Sequence, residues 1–337
     1  MSEKTKIAWT DSTVNFFSGC TKVSPGCANC YAEALSNRKL GHIGKWGKGA
    51  PRQLHESAFK LAFNKLNKKP WLCDICGASN PYEFGECDHG RTTSHRRRIF
   101  SLSLGDWLDD EVPIEWLARM LDTIRQCDQV TWILCTKRPE NFFNRLGHIL
   151  ASANEDAFYS NNEQRGKLGI WLDDWLIKSK RPSNIILLIS VENQEQADKR
   201  IPELLKIPAA CRGLSLEPLL GPVDILKSWK PASLPQNARA GKVIKLSDQI
   251  HWLIIGGESG PHARPCNVEW IRSLVEQGRT AGVATFVKQL GAHPYNGGKD
   301  DVYAICAGTA IFYKDKKGGD PAEWPEDLRI QEFPKGF

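Results

Sequence analysis

From residue 98 onward the chain repeats one pattern: a short run of consecutive apolar residues, a polar or glycine-bearing end, then a stretch whose apolar positions recur every three to four residues. Short apolar runs read as strands buried on both faces, and the longer spacing reads as amphipathic helix. Strands are expected at 98–103, 129–135, 184–191, 213–216, 251–255 and 284–288. Helices are expected at 192–205, 268–281 and 113–126, the last with Ile114, Leu117, Ala118, Leu121 and Ile124 on one face. Alternation of strand and helix predicts a parallel sheet with right-handed crossovers.

The start of the chain adds one βα unit. Residues 7–17 are expected to deliver the backbone as a strand to a cysteine-bearing loop, and 31–40 to form the helix after it. Two segments break the rhythm: 41–97 is long and irregular and reads as an insertion, and 227–245, rich in Pro, Ala and Lys, reads as an exposed excursion. After Gly291, the pairs Gly297-Gly298 and Gly318-Gly319 with Pro321 and Pro325 predict a short hairpin and a turn-rich close. The expected organisation is thus 1–40, first βα unit; 41–97, insertion; 98–291, remaining barrel units; 292–337, C-terminal extension.

Composition narrows the class. A chain of 337 residues is long enough for a single α/β barrel. It holds no apolar run long enough to span a bilayer, and M-S-E-K-T-K-I-A-W-T-D lacks the basic-then-apolar pattern of a secretory signal. A cytoplasmic, reducing location is therefore expected, in which the eleven cysteines serve as metal ligands sooner than as disulfides.

Three of them, Cys20, Cys27 and Cys30, lie in G-C-T-K-V-S-P-G-C-A-N-C-Y. Three thiolates on a four-iron, four-sulfur cluster leave one iron open to a small molecule. The same spacing also suits a zinc knuckle completed by a histidine, or three buried cysteines without metal. A second group, Cys73-x2-Cys76-x10-Cys87-x-His89, suits structural zinc, with a second iron-sulfur site or no metal as alternatives and His95 able to replace His89. Cys127, Cys135, Cys211, Cys266 and Cys306 stand singly among apolar residues, the setting of buried packing.

The strand ends share a chemistry. They read S-L-S-L-G-D to Asp106, C-T-K-R-P from Cys135, S-V-E-N from Ser190, S-L-E-P from Ser215 and G-G-E-S-G from Gly256. One such end is a helix cap. Five, in parallel strands, face one mouth and predict a ligand site with Asp106, Lys137, Glu192, Glu217 and Glu258 as its charged members. Carboxylates suit an amine or ribose hydroxyls, and Lys137 with Arg138 suits a carboxylate or phosphate. Arg91, His95, Arg96, Arg97 and Arg98 concentrate positive charge, which suits either phosphates or a solvated loop. No P-loop, Gly-x-Ser-x-Gly elbow or His-Glu-x-x-His helix is present.

These motifs resemble a phage- and prophage-associated family of unknown function that begins with T-K-I-x-W-T-D and carries the same three-cysteine loop. The matching pieces are 5–11, 19–33, 190–202, 214–222, 256–265, 286–291 and 320–333. That family is in turn similar to radical S-adenosylmethionine enzymes. The resemblance implies a partial (β/α)6 TIM-like barrel, here with an inserted Cys/His zinc-knuckle-like subdomain. It implies a [4Fe-4S] cluster on Cys20, Cys27 and Cys30 whose open iron binds S-adenosylmethionine, cleaved to a 5′-deoxyadenosyl radical, and an electron donor as partner. Ser103 and Asp106 would meet the cofactor's amino group and Tyr31 its adenine; with Lys137, Glu192, Glu217 and Glu258 these complete the expected cofactor site. This chain departs from the common Cys-x3-Cys-x2-Cys spacing by having six residues in the first gap. The expected activity is a radical enzyme modifying or repairing a nucleic acid or nucleotide. The alternatives are a zinc-containing nucleic-acid-binding protein without redox chemistry, and a non-radical metal-dependent hydrolase or transferase.

Overall fold

A computed structural model describes residues 2–38, 43–79, 94–153, 162–229, 245–297 and 310–337. Seven strands, β1 (Ser12–Val14), β2 (Arg98–Ser101), β3 (Thr131–Thr136), β4 (Ile185–Ser190), β5 (Cys211–Leu216), β6 (Trp252–Gly256) and β7 (Ala284–Gln289), lie side by side in chain order. Every neighbouring pair is parallel. The main helices are α1 (Tyr31–Asn37), α2 (Ile114–Gln126), α3 (Phe142–Ala153), α4 (Asn162–Leu176), α5 (Gln194–Lys206) and α6 (Val268–Ala281). The fold is mixed α/β, with a parallel seven-strand half-barrel.

Period-two alternation explains the two cores. Trp132, Leu134, Ile185, Leu187, Leu214, Leu253 and Ile255 face outward and pack with Leu117, Leu121, Ile201, Leu204, Ile271 and Leu274 of the helices. Ile133, Ile186, Leu188, Cys211, Trp252, Ile254 and Phe286 face inward with Trp9. The sheet curls: the Trp9 ring lies 4.7 Å from that of Phe100 on β2 and 6.2 Å from that of Trp252 on β6. Across the same gap the Arg98 guanidinium sits 3.7 Å from the centre of the Phe333 ring, which also packs on Trp252 and Phe286. Aromatic side chains thus plug the end of the half-barrel where the strands begin.

The structure corrects three expectations. The sheet has seven strands, the six later runs and the expected N-terminal one, Ser12–Val14, beside Arg98–Ser101, and so one more than the partial (β/α)6 barrel that the resemblance implies. The helix after the cysteine loop does not cover the sheet: Tyr31, Ala32 and Leu35 of α1 line a cavity at the mouth. The β1–β2 crossover is instead the helix Glu56–Leu61, continued as a wider turn over Ala62–Leu66, which buries Ala58, Phe59, Ala62 and Leu66 in the outer core. Part of 41–97 is therefore barrel; its later described part forms the antiparallel pair Trp71–Cys73 with Ser94–Arg96.

The tail runs antiparallel along β7, with Val287 N–H donating to Ile330 O (2.8 Å) and Glu332 N–H to Thr285 O (2.9 Å), so that edge is covered. The tip of the expected hairpin, 298–309, lies outside the described residues; on either side of it Tyr295 and Ala310 form an antiparallel bridge, Pro294–Tyr295 pairs in parallel with Cys266–Asn267, and the close is turn-rich as expected, with 3₁₀ turns at Pro321–Glu323 and Glu326–Leu328. Among the described residues no helix is long and apolar enough to cross a membrane.

Candidate active site

The cysteine loop starts where β1 runs past β2. Buried Asn15 accepts from Leu104 N–H (2.9 Å) and donates to Ser103 Oγ (3.1 Å), while Gly19 N–H donates to Leu104 O (3.0 Å). Gly19 holds φ +100°, and a Cβ there would lie 2.8 Å from Lys45 O, so only glycine fits the turn. Leu102 at the end of β2 also has positive φ, 65°, a strained conformation for a branched side chain that turns Ser103 toward the mouth.

Two carboxylates from distant strand ends grip the loop. Ser24 Oγ donates to Glu192 Oε1 at 2.8 Å, and Asn29 Nδ2 to Glu258 Oε2 at 3.1 Å. Glu192 is fully buried and paired with Lys137 Nζ (2.5 Å) and Arg200 Nη1 (2.7 Å). Glu258 is paired with Arg264 (2.6 Å), whose other nitrogen donates to Pro25 O (2.8 Å). Burial pushes the Glu192 carboxyl up, but Lys137 and Arg200 outweigh it and hold the group below the usual range. Burial likewise opposes, and Arg264 and Asn29 outweigh it, at Glu258.

Cys20, Cys27 and Cys30 all open onto one cavity of about 520 Å³ inside the half-barrel. Arg138 Nη1 lies 3.6 Å from Cys20 Sγ and 3.1 Å from Asp106 Oδ2, while its Nη2 donates to Thr21 O (2.7 Å). Burial, helped by Asp106, pushes the Cys20 thiol up to about 12 against the pull of Arg138. Burial also pushes Cys30 up. Thiolates here therefore need a bound positive centre. Among the described residues no three His, Cys, Asp or Glu side chains converge closely enough for one ion.

The remaining walls come from inward positions at the strand ends. Ser103, Cys135, Ser190, Ser215, Glu217, Lys137 and Lys288 line the cavity above Phe100 and Trp9. Lys288 Nζ lies 2.8 Å from Glu217 Oε1, and a Cβ at Gly256 would come 2.8 Å from that oxygen. The Tyr31 hydroxyl donates to the Ser103 carbonyl across the mouth. Asp106 borders the cavity but is spent on Thr136 Oγ1 (2.7 Å), Lys137 N–H (2.8 Å), Leu108 N–H (3.0 Å) and Arg138.

Of the residues expected from sequence, the structure brings Cys20, Cys27, Cys30, Tyr31, Ser103, Asp106, Lys137 and Glu217 to one cavity. Glu192 and Glu258 lie behind the loop and hold it. Lys288 was not anticipated, although alternation along A-T-F-V-K-Q puts it on the inward face with Phe286. Asn15 and Arg264 carried no local signal.

The second cysteine group is only partly described: Cys87 and His89 lie outside the described residues, Cys73 is buried and Cys76 exposed. His95 lies against Asp74 (2.6 Å) and Asp11 (3.1 Å). The basic cluster does not present itself to phosphates as a unit. Arg97 is buried against Ser12 Oγ (3.1 Å) and the carbonyls of Lys69 and Glu3, and Arg98 is paired with Asp11 (3.3 Å); Arg91 lies outside the described residues.

A family model described as a protein of unknown function, DUF5131, matches residues 4–319. No curated protein and no solved structure matches the chain.

Proposed function

The chain belongs to the DUF5131 family of unknown function, so its activity must be read from its own cavity; we propose that it is a radical S-adenosylmethionine-like iron-sulfur enzyme acting on a nucleic acid or nucleotide. What carries the reading is that three cysteines of one loop, held at the C-terminal ends of a parallel half-barrel, open onto the same cavity as Ser103, Lys137, Glu217 and Lys288. Cys20, Cys27 and Cys30 would hold a [4Fe-4S] cluster, and S-adenosylmethionine would occupy the adjoining cavity. Together they supply one-electron chemistry that removes hydrogen from an unactivated carbon.

The chain's own residues do the rest. Glu192 and Glu258 fix the loop, Arg138 offers a hydrogen bond and positive charge to the Cys20 sulfur, and α1 roofs the mouth and limits water. The Glu217–Lys288 pair places one acceptor and one donor opposite the cysteines, a match for a group bearing both amine and carboxylate.

The test is anaerobic reconstitution with iron and sulfide followed by metal analysis. About four iron per chain with broad visible absorbance is expected, lost when Cys20, Cys27 and Cys30 are all replaced by Ala. Zinc without iron would instead support a zinc-containing nucleic-acid-binding protein.

A further inference from the structure

Two further cavities continue the first across the surface. One of about 400 Å³ shares Cys30, Tyr31 and Leu35 with the cysteine cavity. The next, of about 740 Å³, shares Gly260 and Pro261 with the second and ends at Phe312, Lys316 and Lys317. Through these shared lining residues the three cavities adjoin in series from the cysteine loop to the C-terminal extension, a run called the track below.

The far end of the track has a particular chemistry. Phe312 is 91% exposed, more than any other large apolar side chain described. It is held out by a fixed backbone: Ile311 N–H donates to Pro294 O (2.9 Å), and Ala310 bridges Tyr295. Beyond it, the acidic groups of the turn are spent on backbone. Glu323 accepts from Lys314 N–H and Asp315 N–H (both 3.1 Å), and Asp315 from Gly319 N–H (2.7 Å) and Lys317 N–H (3.2 Å). The ammonium groups of Lys314, Lys316 and Lys317 stay exposed, with no ion pair to a described residue. At the other end Tyr31 is 57% exposed beside Arg38.

We propose that this track binds single-stranded nucleic acid, with Lys314, Lys316 and Lys317 on the phosphates and a base stacked on Phe312, so that the strand leads into the cysteine-lined mouth. An exposed aromatic face beside unpaired cations is what single strands use without sequence readout, and a duplex would not lay a base on Phe312. An acidic peptide would use the lysines but gain little from the ring. The inference deepens the reading above by naming its macromolecular partner, but the binding does not depend on what the cysteines hold.

The experiment is fluorescence anisotropy of the full-length chain with a labelled oligothymidylate and a labelled oligouridylate of about twelve nucleotides, titrated over salt. Salt-dependent binding is expected. Replacing Lys314, Lys316 and Lys317 with Ala should weaken it at least about tenfold and flatten the logarithmic salt slope by about two. Phe312→Ala should weaken it about fivefold or more at unchanged slope. Circular dichroism checks that both variants are folded. No binding by the parent chain, unchanged binding by the lysine variant, no effect of Phe312→Ala, or equal competition by polyglutamate would each overturn the proposal. Binding in a preparation without iron would separate this result from the fate of the iron-sulfur reading.

Discussion

Ser24 Oγ donates a 2.8 Å hydrogen bond to Glu192 Oε1 across a separation of 168 residues. The same carboxylate is closed by Lys137 and Arg200, and its side chain fills the space where a Cβ on Gly26 would sit. The loop that carries the three cysteines is therefore positioned by an ion-pair network rooted in β3, β4 and α5.

Glu192→Gln leaves Arg200 and Lys137 without their counter-charge in a buried site. A loss of about 3 kcal/mol is expected in urea unfolding. Iron retained after reconstitution should fall with it, because the loop loses its anchor.

Gly26→Ala tests the loop more locally. The added Cβ would lie 2.4 Å from Glu192 Cγ and Oε1, so the loop must shift. The expected outcome is a cost of about 1–3 kcal/mol with a severalfold loss of bound iron. Unchanged iron content would show that the loop's position is not set by this contact.

Arg138 joins Cys20, Asp106 and the Thr21 carbonyl through one planar fork. Arg138→Lys keeps the charge but cannot reach all three. The expected result is near-normal folding by circular dichroism, with a shifted reduction potential or weaker retention of the proposed cluster than in the parent chain. Parent-like values for both would remove Arg138 from the site.

Asp11 governs acid stability at the other end of the half-barrel. Burial pushes its carboxyl up, but hydrogen bonds and charge from His95 and Arg98 outweigh that and bring it down to about 2. A carboxyl depressed in the folded state contributes stability above its unfolded value near 4, and loses it as pH falls toward 2. The contribution is about 2 kcal/mol. The loss of unfolding free energy, measured in urea, between pH 5 and pH 2 should be smaller by that amount in Asp11→Asn.

The strands were legible because their apolar runs are local: I-I-L-L-I-S at β4 buries both faces wherever it is placed, and the spacing of Leu117, Leu121 and Ile124 made α2 readable in the same way. The three-cysteine loop was legible because its spacing is a chemical statement in itself. The roles of the strand-end charges were not. Glu192, Glu217 and Glu258 look alike in sequence, yet the first and last hold the loop and only Glu217 faces the cavity.

Their difference is set by partners: Ser24, Lys137 and Arg200 for one, Asn29 and Arg264 for another, Lys288 for the third. The same is true of Arg97 and Arg98, which read as part of a run of positive charge and are buried, Arg97 against Ser12 and Arg98 against Phe333 of the tail. Nor did periodicity reveal that Glu56–Leu61 crosses the sheet while α1 roofs the mouth, because both segments carry apolar faces. Sequence by itself determined the elements and the candidate ligands, since hydrophobic period and ligand spacing act over a few residues. Only the tertiary structure decided which charged and polar groups meet, because such a contact is defined by distance in space and these partners are as much as 229 residues apart along the chain.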